Sequence, residues 1–187
     1  DPSLGRLDGV EQAARRVATA MKLALEGNLQ AARQGIESVL ADRPDPEVVA
    51  DTLCAFSWVL RRQVWSGADP GSALEALARC ERLFRVPRFR YEYALDKACL
   101  LAAAGQVQLA TQATAELGTL CREAHAEALV EALRLRAQGR TKEALAAVQS
   151  IGSGSRPRGV QGQELEGLIK VLIEEARRPS PPPEELA

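Results

Sequence analysis

The residues best equipped for chemistry in this chain are few and scattered. The single histidine, His125, follows Cys121 by four positions, a spacing that would place thiol and imidazole on one helical face. Such a couple becomes a nucleophile only with a third group to orient the ring and a pocket to hold a substrate, and the sequence supplies neither. Glu123, Glu127 and Glu131 recur every four residues. A general acid/base pair would need a cleft and a second polar partner, whereas Arg134 nearby points to surface ion pairing. The four cysteines, Cys54, Cys80, Cys99 and Cys121, are widely spaced and form no CxxC pair. They read as small buried thiols in a reducing, cytoplasmic setting; zinc and disulfides are the weaker readings. Arg79, Arg82, Arg85, Arg88 and Arg90 make a basic run opposed by Glu81, which reads as a solvated face rather than a phosphate grip. Phosphate loops, nucleophile elbows and metal-ligand helix motifs are missing from the sequence. No enzyme activity, cofactor or metal is expected.

The elements that carry these residues are helical. Ala and Leu abound while aromatics are only 4%, which suits close-packed helices better than strands. A net charge of -1 gives no electrostatic reason to expect nucleic acid. No apolar run approaches the ~20 residues of a membrane span. The chain opens Asp1-Pro2-Ser3 rather than at Met, which reads as a truncated or processed start.

Apolar periodicity and Gly/Pro punctuation predict helices over 8–26, 29–41, 45–66, 69–84, 89–104, 106–120, 122–138, 141–151 and 163–178. The first eight pair into hairpins. In three of them a turn glycine is followed five positions later by an alanine: Gly27 and Ala32, Gly105 and Ala110, Gly139 and Ala144. The second hairpin, with Gly67 and Ala73, fits with one residue inserted at Ala68-Asp69-Pro70.

This grammar resembles the tetratricopeptide repeat, a helical pair of about 34 residues with small residues at fixed sites. The first unit carries Ala20, Gly27, Ala32, Ile36 and Pro44; the fourth carries Ala132, Gly139, Ala144, Val148 and Pro157, one place late. In the third, Thr114 stands where a bulky apolar residue is expected and Arg122 where a Pro is. The resemblance covers roughly residues 14–156. It implies an all-α, right-handed α-α superhelix (a TPR-like solenoid) of about four hairpins in residues 1–159. An amphipathic capping helix would follow at 160–178, then a Pro-rich, disordered tail at 179–187.

In that family the first helix of each pair lines a concave face. The resemblance therefore assigns a groove to Val17, Met21, Trp58, Arg61, Trp65, Leu95, Leu129, Leu133 and Arg136. The family's Lys/Asn clamp for a C-terminal carboxylate is missing at the matching positions. The expected partner is a protein or peptide, an amphipathic helix or extended apolar segment, bound by a scaffold or adaptor. The alternative is a regulatory or ligand-sensing domain of a larger, transcriptional or signalling protein. Trp58 and Trp65 are either anchors for the guest or fillers of the irregular second junction. Leu165, Leu168, Ile169, Leu172, Ile173 and Ala176 form one apolar stripe on the ninth helix. Its simplest role is a cap on the last repeat. Through the Gly/Ser-rich joint at 152–159 it could instead occupy its own groove or exchange with a second chain.

Overall fold

The computed structural model describes residues 2–42, 45–85, 87–120, 124–151 and 160–177. Among these residues nine α-helices and one 3₁₀ helix are present and there is no strand. The α-helices are α1 (Pro2–Leu25), α2 (Leu29–Ala41), α3 (Pro46–Trp65), α4 (Pro70–Cys80), α5 (Pro87–Ala103), α6 (Val107–Leu120), α7 (Ala124–Ala137), α8 (Thr141–Gln149) and α9 (Val160–Arg177); Glu81–Arg85 is the 3₁₀ helix.

Four helices stop in one way because each meets a glycine that can turn left-handed. Gly27, Gly67, Gly105 and Gly139 have φ of 89°, 92°, 70° and 75°, a region costly for any residue with a Cβ. In each turn the glycine N–H donates to the carbonyl three residues back. The next N–H donates to the carbonyl five back, as in Asn28 to Leu23 at 2.9 Å and Arg140 to Leu135 at 2.9 Å. These paired bonds satisfy carbonyls that the helix end would leave orphaned. The next helix starts two residues after the glycine in three hairpins and three after it in the second. The extra residue makes room for Asp69, whose carboxylate accepts from the backbone N–H of Gly71 (3.2 Å) and Ser72 (2.9 Å). Pro70 then occupies the first turn, where its missing N–H costs nothing.

Each helix packs on its sequence neighbour, and α1 on α3, α3 on α5 and α5 on α7 also touch. α1, α3, α5 and α7 thus form one layer and α2, α4, α6 and α8 the other, with α9 against α8. Small residues permit the close approach. Ala32, Ala73, Ala110 and Ala144, early in the even helices, are all buried, as are Ala20, Ala98 and Ala132 on the odd ones. At the α1–α2 crossing a Cβ on Gly35 would lie 3.2 Å from the Ala20 Cβ, so only a residue of minimal size fits there without a shift.

The interior divides in two. One core runs from Val17 and Ile36 through Phe56 and Leu60 to Leu77, Phe84 and Leu100. The other takes Leu95, Ala98, Leu117, Leu129, Leu133 and Val148, together with Leu165, Leu168 and Leu172 of α9. Of the buried residues of α3, Trp65 alone belongs to this second core.

Three expectations change. α1 begins at Pro2 rather than near Asp8, since Pro is tolerated in a first turn and nothing up to Asp8 forbids helix. α4 ends at Cys80 instead of running to Phe84; the chain tightens into the 3₁₀ turn, and Phe84 is buried with its ring 5.4 Å from that of Tyr93. The thiols are not uniformly buried: Cys99 is, Cys80 is half-buried and Cys54 is exposed, and none of the three forms a disulfide. The joint at 152–159, the tail from 178 and Cys121 lie outside the described residues. Among the described residues no helix is long and apolar enough to cross a membrane.

Candidate functional site

Side chains of α1, α3 and α5 line an open cleft of about 470 Å³. Val17 and Met21 come from α1, Asp51, Cys54, Ala55, Trp58 and Arg61 from α3, and Glu92 from α5. The α3 residues recur every three or four positions and so share one helical face. Asp51 and Cys54 are exposed at its lip, while Ala55, Trp58 and Arg61 are buried deeper. Trp58 is held from behind, with the Arg62 guanidinium 5.4 Å from its ring centroid.

The polar floor is a buried charge pair. Asp96 of α5 is fully buried and accepts hydrogen bonds from the Ser57 hydroxyl and the Arg61 guanidinium. Glu92 lies one turn before Asp96, and its carboxylate is 4.0 Å from Arg61. Burial pushes the Asp96 carboxyl above its ordinary range, against the opposing pull of Arg61 and Ser57. Burial also raises the Cys54 thiol, and Glu92 and Asp51 raise it further against Arg61. A thiol so placed is a poor nucleophile.

The second half of the expected groove is filled. Trp65, Leu95, Leu129 and Leu133 are buried in one core with Leu165, Leu168 and Leu172 of α9. Arg136 is occupied too. Its guanidinium donates to the Glu175 carboxylate of α9, with Nε to Oε2 at 2.9 Å, and to the Trp65 carbonyl at 3.2 Å. α9 rests on α8 and reaches back to the end of α3. There the Arg62 guanidinium comes so near that a Cβ on Gly167 would lie 2.9 Å from it. Of the nine expected groove residues, Val17, Met21, Trp58 and Arg61 therefore line an open cleft. Of the other five, Trp65, Leu95, Leu129 and Leu133 are buried in the core that α9 joins, and Arg136 is bound to α9 itself. The α9 stripe is spent within the chain, so self-association through residues 160–178 would require its release.

The other constellations are accounted for locally. Glu131 pairs with Arg134 at 2.5 Å, and that hydrogen bond holds its carboxyl below the ordinary range. Glu127 and Glu131 border a second opening of about 510 Å³ between α6 and α7, where Thr114 supplies a short side chain. The Thr111 and Thr114 hydroxyls on its wall bond back to their own helix. Arg79 reaches Glu37 of α2 at 3.0 Å, and Arg82 and Arg90 are exposed. His125 is half-buried; its supposed partner Cys121 lies outside the described residues. No cluster of three or more metal-ligating side chains exists among the described residues.

Periodicity alone did not single out Asp96, Asp51 or Cys54. A signal for the first was present. Ser57 and Arg61, four apart on α3, face Glu92 and Asp96, four apart on α5, and Asp96 with Lys97 interrupts the apolar stretch from Ala94 to Leu101. In comparisons with family models, curated proteins and solved structures, nothing matched the chain.

Proposed function

We propose that this protein is a non-enzymatic interaction module, a tetratricopeptide-like array of four helical hairpins closed by α9. It binds a partner protein or peptide in the cleft between α1, α3 and α5. The observation that carries this reading is the cleft itself: an apolar recess walled by Val17, Met21 and Trp58 on the inner layer, where the resemblance puts the binding face. An aromatic side chain such as Trp58, lining a recess beside aliphatic side chains, is the usual make-up of an interface anchor point. The two-layer order and the repeated glycine turns support the array; the tight fit of α9 supports its role as a cap.

The test is capture of partners by the intact chain and by Cys54→Trp, which fills the cleft from an exposed helical position. The partners that the first retains should be lost by the second while the melting temperature is unchanged. Equal retention by both sinks the proposal. A second reading, ligand sensing, draws on the cleft volume of about 470 Å³, within the range of small-molecule sites. It gains if an organic ligand, and no protein, raises the melting temperature of the intact chain but not of Cys54→Trp.

A further inference from the structure

The last turn of α3 and one face of α9 border an opening of about 420 Å³, walled by Arg62, Trp65, Ser66, Glu166, Lys170 and Val171. Small-molecule sites have volumes of this order. Glu166 stands one turn before Lys170, so two cations line the opening against one carboxylate. Among the described residues neither Arg62 nor Lys170 has an ion-pair partner. Arg62 is the less satisfied of the two. Its Nε is buried without a hydrogen-bond partner. The Trp58 ring, 5.4 Å away, attracts the charge but gives the N–H groups no strong acceptor. Buried donors are ordinarily hydrogen-bonded, so this guanidinium calls for an acceptor.

The surroundings leave that acceptor room. Position 167 is glycine, and a Cβ there would lie 2.9 Å from Arg62 Nη1. The end of α3 does not compete for the charge. Its Arg62, Gln63 and Val64 carbonyls accept from the backbone N–H of Ser66, Ala68 and Gly67, and its Trp65 carbonyl accepts from Arg136. The Ser66 hydroxyl donates to the Arg62 carbonyl at 2.8 Å. We infer that this opening is a site for a small organic anion, a carboxylate or phosphate carried on an apolar body. The anionic oxygens accept from Arg62 and Lys170, and the body lies against Trp65 and Val171. The planar fork of an arginine matches either oxyanion. Because the two cations belong to α3 and α9, a bound anion ties the last helix to the array. The site is separate from the cleft between α1, α3 and α5 and does not rest on its reading.

The experiment titrates benzoate, phenyl phosphate and uncharged benzamide into the full chain at fixed ionic strength. Calorimetry reads affinity and hydrogen exchange reads location. At least one anion should bind saturably and benzamide should not; the tighter anion tells a carboxylic acid from a phosphate ester. Exchange should slow in α9 and the last turn of α3 while α1 and α2 are unchanged. Arg62→Gln should weaken binding at least about tenfold and Lys170→Gln at least about threefold. Glu166→Gln removes the opposing charge and should tighten binding about twofold or more. Lys170 and Glu166 are exposed, so their variants keep the test decisive if Arg62→Gln alters the thermal melt. No saturable binding of either anion up to about 10 mM overturns the inference. So does binding that both Lys170→Gln and Glu166→Gln leave unchanged, or that leaves exchange in α9 unaltered.

Discussion

At the scale of single residues, Asp96 is the one whose environment says most. It ties α5 to α3 through Ser57 and Arg61 without any contact with water. Asp96→Ala removes the closest acceptor of a nearly buried guanidinium and should cost about 3 kcal/mol or more, read by urea unfolding. The same group makes stability depend on pH. Its folded carboxyl keeps the proton to a higher pH than the unfolded one, whose ordinary value is 3.8. Below 3.8 both forms are protonated and the contribution is constant. From 3.8 up through the raised folded value the folded chain binds more protons, so this contribution to stability falls as pH rises. The stability of Asp96→Asn relative to the parent should therefore improve as pH climbs through that window; a flat difference would contradict it. Glu131 is the contrast. Its side chain is 45% exposed, so Glu131→Gln should change stability by less than about 0.5 kcal/mol despite the short bond to Arg134. Spacing could announce Val17, Met21, Trp58 and Arg61 as neighbours, because a helical face is periodic. It could not announce that Asp96 is wholly buried, since that depends on which arginine the next helix brings opposite.

Among the elements, the hairpins were the most legible part of the chain. Gly27, Gly105 and Gly139 mark their turns in the sequence, and the left-handed conformations that require glycine are found there and at Gly67. Gly105→Ala should cost about 1 kcal/mol, lowering the melting temperature by about 2–4 °C in a chain of this size. A Cβ there meets nothing within 4 Å, so the loss would come from the backbone alone. The departures from the repeat pattern also have visible results. Thr114 stands where Ile36, Leu77 and Val148 fill the other units, and the opening between α6 and α7 is beside it. Thr114→Leu should add about 0.5–1 kcal/mol by filling that gap; no gain in the urea midpoint would mean the opening is already closed in solution. The 3₁₀ turn after α4 was not legible, because Phe84 fits a longer α-helix equally well on periodicity.

For the whole molecule, the divided interior matters most. The amphipathic stripe of α9 told that the helix must cover something, but not what. Which surface it covers is decided by long-range packing: Arg136, Trp65 and Arg62 meet it from helices far apart in sequence. Glu175→Lys sets two cations together at the Arg136 contact. Hydrogen exchange should then quicken in α9 and α8 while α1 and α2 keep their protection. Equal acceleration throughout would show that the two cores open as one. The position of α9 also bears on how the chain leaves the ribosome. Trp65, Leu129 and Leu133 are made before the helix that shields them. At about 5–20 residues per second Leu129 and Leu133 stay uncovered for a few seconds of translation and Trp65 for about 5–20 seconds. The nascent chain thus passes through an interval in which greasy surface is open to chaperones, and any stall before residue 160 would prolong it.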